Sequence, residues 1–167
     1  YRRGFQDIFV LQADRQTVES PTRGRGKNWL PAWSPDGTRI AFASSREGTE
    51  SVYVMNTDGS DVRRLGAYGG IDTSPTWSPS GREIAFTSNR SGSPQIWIMS
   101  ADGSIARQLT FERYCDRPAW SPGPVNELAY VSRTSTGFDI KVIDVTTGRQ
   151  RQLTFGPGLH LPALVAL

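Results

Sequence analysis

Apolar residues along this chain come in short runs, each closed by a polar turn, and no stretch sustains a helical period. Arg39 to Ser44 reads RIAFAS, and Ser51 to Met55 reads SVYVM, rich in β-branched and aromatic residues as a strand should be. Turns are marked by Pro35-Asp36-Gly37 and by Asp58-Gly59, where proline presets φ and glycine accepts positive φ. A half-exposed sheet would alternate apolar with polar. Val52-Tyr53-Val54-Met55, Ile96-Trp97-Ile98-Met99 and Ile84-Ala85-Phe86 are instead apolar at successive positions, so both faces of their sheets must be covered.

The runs repeat. PAWSPDGTRIAFAS at 31 to 44 returns as PTWSPSGREIAFTS at 75 to 88 and, loosened, as PAWSPGPVNELAYVS at 118 to 132. Pro31, Pro75, Pro118 and Pro162 are 44, 43 and 44 residues apart, and Ile8, Val52, Ile96 and Ile140 step by 44. Each unit reads as four strands: a short one at Ala32-Trp33-Ser34, a second at Arg39 to Ser44, a third at Ser51 to Met55, and a fourth carrying Val62 and Leu65. The pattern predicts an all-β chain, a β-propeller of four-stranded antiparallel blades stacked face to face, in preference to a β-sandwich, which needs no such regular repeat. Expected units are residues 1–28 (strands three and four of a blade, the third at Asp7 to Leu11), 29–72, 73–115, 116–159, and 160–167 as the start of another. Since propellers close with about 4 to 8 blades, the chain is expected to be three to four blades of a larger ring.

Composition narrows the function classes. The 19 basic residues against 16 acidic give a net charge of only +3, and no dense basic run is present to track a nucleic-acid backbone. No apolar run is long enough to span a membrane as a helix. The lone Cys115 excludes an internal disulfide. His160 is the only histidine, and no Gly-x-Ser-x-Gly elbow accompanies it, so a hydrolase triad is not expected. Cys115 and His160 fall at similar places of successive units, but a packed cysteine and a loop histidine explain them without chemistry. Gly24-Arg25-Gly26-Lys27 lacks the upstream glycine and following Ser/Thr of a phosphate loop and reads as an exposed basic linker. No metal-ligand spacing is present, no cofactor is expected, and Asp58 and Asp102 read as turn formers. Trp33, Trp77 and Trp120 recur with the period and read as core or channel-wall packing.

In such a propeller the loops between strands two and three and those from strand four to the next strand one share a face. They carry Arg46, Tyr68, Asp72, Arg90, Tyr114, Asp116, Arg117 and Arg133, a mix of arginine, tyrosine and carboxylate suited to docking a protein.

The repeat Pro-x-Trp-Ser-Pro-Asp-Gly, Ile-Ala-Phe-x-Ser, Ile-Trp-Ile-Met, Asp-Gly-Ser and Arg-Gln-Leu-Thr resembles the WD-repeat-like propellers of the TolB family over nearly the whole chain. The third unit, from Tyr114-Cys115-Asp116-Arg117-Pro118 to Arg151-Gln152-Leu153-Thr154-Phe155-Gly156, is the most specific part of the resemblance. The resemblance implies a six-bladed ring following a smaller α/β domain, and a non-catalytic periplasmic scaffold of the Tol-Pal system. It implies docking of the peptidoglycan-associated lipoprotein Pal through the propeller and of TolA through a segment upstream of Tyr1, in support of outer-membrane integrity, protein import and cell division. The same repeat is similar to the propellers of prolyl-oligopeptidase-type serine peptidases and tricorn-like proteases, so an accessory substrate-gating propeller is the alternative. The third unit departs from the pattern with Pro122-Gly123-Pro124 in place of the Asp-Gly turn and with Thr134 in place of the loop arginine.

Overall fold

A computed structural model describes residues 6–14, 16–66 and 69–156. The described chain is all β. Strands β1 (Val10–Gln12) and β2 (Thr17–Glu19) form an antiparallel pair. Three four-stranded sheets follow, each an antiparallel meander in chain order. The first blade is β3 (Asn28–Trp33), β4 (Arg39–Ser44), β5 (Ser51–Asn56) and β6 (Arg63–Arg64). The second is β7 (Asp72–Trp77), β8 (Glu83–Ser88), β9 (Gln95–Ser100) and β10 (Ala106–Gln108). The third is β11 (Cys115–Trp120), β12 (Glu127–Arg133), β13 (Phe138–Asp144) and β14 (Gln150–Gln152). The fold is that of a partial β-propeller.

The apolar core divides into three clusters, each sandwiched between successive sheets, and the strand alternation decides which residue enters which cluster. Ile40, Phe42, Tyr53 and Met55 meet Val10 of the preceding sheet and Ile8 just ahead of it. Their neighbours Ala41, Val52 and Val54 point the other way, with Leu65, onto Trp77, Ile84, Phe86, Trp97 and Met99 of the second blade. Ala85, Ile96, Ile98 and Leu109 then meet Leu128, Tyr130, Ile143, Val145 and Trp120 of the third. Each large apolar side chain buried in this way stabilises the stack by about 1.5–3 kcal/mol. Backbone hydrogen bonds add a latch between sheets: the first residue of each inner strand donates its N–H to a carbonyl ahead of a strand in the preceding sheet, immediately before β5 and β9 and four residues before β1. The pairs are Asn28 to Gln6 (3.0 Å), Asp72 to Glu50 (3.0 Å) and Cys115 to Pro94 (2.8 Å).

Three local details differ from the sequence expectation. The innermost strands are longer than Ala32-Trp33-Ser34 suggests, because each begins before its proline and passes it through a bulge. The register skips between Trp29 and Ala32, Thr73 and Thr76, and Asp116 and Ala119. The residue ahead of each proline, Leu30, Ser74 or Arg117, has φ of 51°, 52° or 54°. Proline has no N–H for the ladder, so the irregularity sits where a hydrogen bond is already missing, although the left-handed conformation costs an L-residue roughly 1–2 kcal/mol. Second, the strand expected at Asp7 to Leu11 is found at Val10–Gln12, where its residues pair with β2; ahead of it the Ile8 N–H donates to the Thr22 hydroxyl (3.1 Å), as Ile96 and Ile140 do to Thr110 and Thr154. Third, the tryptophans are not equivalent. Trp77 is buried in the core and Trp120 packs against it, but Trp33 is 53% exposed, because β1 and β2 cover only the outer part of the first blade. The stretch from Pro162 to Leu167, and with it His160, lies outside the described residues.

Glycines in the hairpin turns between third and fourth strands set the spacing of the blades. Gly103 (φ 79°) lies so close to the preceding blade that a Cβ there would stand 2.9 Å from the Gly66 nitrogen and 3.2 Å from the Leu65 Cα. Gly148, in the corresponding turn of the third blade, has the same conformation (φ 73°) with no neighbour within 4 Å. Both alanine variants incur the backbone strain, but only Gly103→Ala also wedges two blades apart, so it should lose about 1–3 kcal/mol more. Urea denaturation of the two variants checks this; equal losses would show that the turn does not hold the blades at contact distance.

Candidate functional site

In an antiparallel meander the start of strand one lies beside the end of strand two, and the hydrogen bonds place both loop families at that end of each sheet. The Ser45 N–H donates to Lys27 (3.1 Å), the Asn89 N–H to Ile71 (3.3 Å) and the Arg133 N–H to Tyr114 (3.1 Å). Asn89 also accepts from the Ile71 N–H through its side-chain oxygen (2.8 Å). The expected loop face is therefore braced blade by blade.

Arg46 and Arg90 fold back from this face onto their own blades. Phe42, Ser44 and Arg46 alternate along one side of the chain, as do Phe86, Ser88 and Arg90. The Arg46 guanidinium lies 5.0 Å above the Phe42 ring and 4.8 Å above that of Tyr53, and Arg90 lies 5.4 Å above Phe86 and 5.0 Å above Trp97. Guanidinium over an aromatic face is attracted by the ring quadrupole and closes the open end of the core. Each arginine donates from Nε to its serine hydroxyl, 3.1 Å to Ser44 and 2.9 Å to Ser88. Each then donates from Nη2 to the first residue of the inner strand: Arg90 to the Asp72 carboxylate at 2.6 Å, Arg46 to the neutral Asn28 carbonyl at 2.9 Å. The second pair is an ion pair with side chains 15% and 2% exposed. Burial pulls the Arg46 pKa below that of a free guanidinium, and nearby Arg25 acts in the same direction.

The third blade solves the same problem with different residues. Tyr130, Ser132 and Lys141 occupy the positions of Phe42, Ser44 and Tyr53. All three converge on Glu112, in the connection after β10. Its carboxylate accepts from the Tyr130 hydroxyl (2.8 Å), the Ser132 hydroxyl (2.5 Å) and Lys141 Nζ (2.7 Å). Burial alone would raise the Glu112 pKa, but these hydrogen bonds, with Lys141 foremost, outweigh it and hold the carboxyl below its ordinary value. Thr134 replaces the arginine and donates to Asp139 (2.7 Å).

The remaining sequence-identified residues separate into committed and open groups. The Asp116 carboxylate accepts from the Thr87 hydroxyl (2.9 Å), the Tyr114 hydroxyl (3.1 Å) and the Arg117 N–H (2.7 Å), and Tyr114 stands edge-on to Phe138. Arg117 and Arg133 are exposed, with the Arg117 guanidinium 3.8 Å from Asp116. Tyr68 lies outside the described residues. Two phenylalanines at one register, Phe111 and Phe155, are 79% and 77% exposed in the connections after β10 and β14. Sequence reading passed over them, although Leu-Thr-Phe appears at both places. Cys115 is fully buried, and burial, the largest effect, pushes its thiol up to about 11. Among the described residues no group of His, Cys, Asp and Glu is arranged to hold a metal ion. No helix among them is long and apolar enough to cross a membrane.

Residues 1–165 match the TolB beta propeller domain. The chain belongs to that family. A TolB homolog from Chlorobium luteolum is 42% identical over 45 residues, which are 27% of this chain and 10% of that protein. Among solved structures, TolB from Acinetobacter baumannii is 31% identical with a TM-score of 0.79, over 89% of this chain and 37% of that one. A putative TolB from Agrobacterium tumefaciens is 26% identical with a TM-score of 0.82, over 90% of this chain and 57% of that one. The chain thus spans little more than half, or less, of each of these TolB relatives.

Within this TolB-type propeller the arginine networks are expected to act on stability. Replacing Arg90 with Met leaves the buried Asp72 carboxylate without its cation, a change that typically costs about 3–5 kcal/mol. Asp72→Asn reproduces the arrangement that the first blade already uses at Asn28 and should cost clearly less. Denaturation midpoints of the two variants give the comparison, and equal losses would remove the ion pair from the account. For Cys115, alkylation at pH 8 should be negligible in the native protein and rapid in denaturant, because the thiolate is the reactive form and the buried thiol stays protonated. Rapid native labelling would contradict the packed position.

Proposed function

We propose that this chain is the propeller portion of a non-catalytic, periplasmic TolB-type scaffold that docks a Pal-like peptidoglycan-associated lipoprotein through its loop face. Membership of the TolB beta propeller family supports the class, and the loop face itself carries the reading. Exposed Phe111 and Phe155 stand at one register on successive blades, with the exposed cations Arg113, Arg117 and Arg133 on the same connections and strand ends. Aromatic anchors ringed by arginine are the composition of protein-docking hot spots. Arg46, Arg90 and Asp72 support this surface from beneath, through the ring and serine contacts already described. On this reading the protein serves outer-membrane integrity, protein import and cell division, and TolA engages a segment upstream of Tyr1. The absence of catalysis is supported by a sequence with one histidine and no nucleophile elbow, and by a cysteine whose thiol is held protonated.

In the full-length protein, Phe111→Ser with Phe155→Ser should weaken Pal binding roughly thirtyfold or more, the loss expected for hot-spot aromatics. Arg117→Glu with Arg133→Glu should chiefly slow association and reduce its dependence on salt. A binding titration with purified Pal that returns unchanged affinity for both double variants would remove this surface as the docking site.

A further inference from the structure

A cavity of about 710 Å³ lies between the chain leaving β2 and the outer half of the first blade. Four arginines line it, Arg23, Arg25, Arg46 and Arg64, against one acidic side chain, Glu47. Glu47 stands 4.0 Å from Arg64, so its charge is already shared with one of the four. The other blades show how unusual the excess is. Arg90, the equivalent of Arg46, is neutralised by Asp72 at 2.6 Å, whereas Arg46 meets the uncharged Asn28. Asp7 lies beyond Asn28, held by Ser20, Thr22, the Gly24 N–H and the Asn28 amide, and its carboxylate, like that of Glu47, attracts Arg46, which still leaves four guanidinium groups facing two carboxylates.

The walls are fixed as well as charged. Gly26 (φ 71°) lies so close to the following blade that a Cβ would stand 2.7 Å from the Arg46 Cα, and a Cβ on Gly59 would strike the Pro21 carbonyl. These two contacts clamp the segment carrying Arg23 and Arg25 onto the blade carrying Arg46 and Arg64. Guanidinium groups held in a concave, partly desolvated space focus a positive potential and offer paired N–H donors that match the oxygens of phosphate or carboxylate. The volume is that of a small-molecule site.

We propose that this cavity binds a small oxyanion carrying several negative charges, a ligand site at the first-blade connections, apart from the Phe111 and Phe155 surface of the preceding section. Its occupant carries phosphate or clustered carboxylate groups. Arg46, stacked on Phe42 and Tyr53, forms the fixed floor, and the exposed Arg23 and Arg25 form the rim that grips the anion.

The test is calorimetric titration of the full-length protein with tripolyphosphate and, separately, citrate, at low and at physiological salt. The combined variant Arg23→Asn, Arg25→Ser changes two exposed side chains and retains the fold, which thermal unfolding checks. Arg107→Ser with Arg149→Ser, two exposed arginines away from the cavity, controls for net charge. Saturable binding of either anion, weakened about tenfold or more in the double variant by loss of charge-assisted hydrogen bonds and unchanged in the control, supports the site. The stronger of the two anions identifies the class. Absence of binding by both anions, or equal weakening in the control, overturns the proposal. Neither outcome bears on Pal docking, since Phe111, Phe155, Arg117 and Arg133 do not line the cavity.

Discussion

Large side chains on the leading face of each blade press against smaller ones on the trailing face of the blade before it. Ile84, Phe86, Trp97 and Met99 of the second blade meet Ala41, Val52, Val54 and Leu65 of the first, and the third blade repeats the arrangement on Ala85, Ile96, Ile98 and Leu109. Other features of the chain answer to this contact. It requires strands apolar on both faces and alanine opposite phenylalanine. It also requires glycine where a hairpin turn meets the preceding blade, and a backbone latch that fixes each inner strand against its predecessor. A sheet stacked in this way has apolar surface to cover on either side, so its polar chemistry is confined to strand ends and connections.

The repeat was legible because period and alternation are written in side-chain type. The ends of β4 and the start of β5 follow directly from RIAFAS and SVYVM. The bulges were not legible, because Leu30, Ser74 and Arg117 share no chemistry and only their place before proline unites them. Nor was the inter-blade latch, since a backbone donor leaves no trace in the sequence. Trp33 shows a different limit: its identity marks it as packing, but its burial depends on what lies on the far side of its sheet.

For the candidate site the sequence revealed which residues gather at one end of the blades, but not which of them remain available. Arg46 and Arg90 sit in polar loops and read as surface. The spacing Phe-x-Ser-x-Arg held the correction, because ring, hydroxyl and guanidinium at alternate positions share one side of an extended chain. Phe111 and Phe155 were passed over for the opposite reason: an aromatic beside a strand is ordinarily core, and only the structure shows both pointing into solvent.

One register therefore supports different electrostatics on an unchanged scaffold. The residue that opens the inner strand is Asn28, Asp72 or Cys115, and the residue two past the strand-two serine is Arg46, Arg90 or Thr134. Together these give a net cation in the first blade, a neutral ion pair in the second and an uncharged pair in the third, where the ion pair moves to Glu112 and Lys141. The stacking contact tolerates all three solutions, because each closes the same open end of the core with a hydrogen-bonded polar group. Recognition can then diverge blade by blade without disturbing the packing, and the charge left over in any one blade is set by two side chains, one at the start of its innermost strand and one two past the strand-two serine.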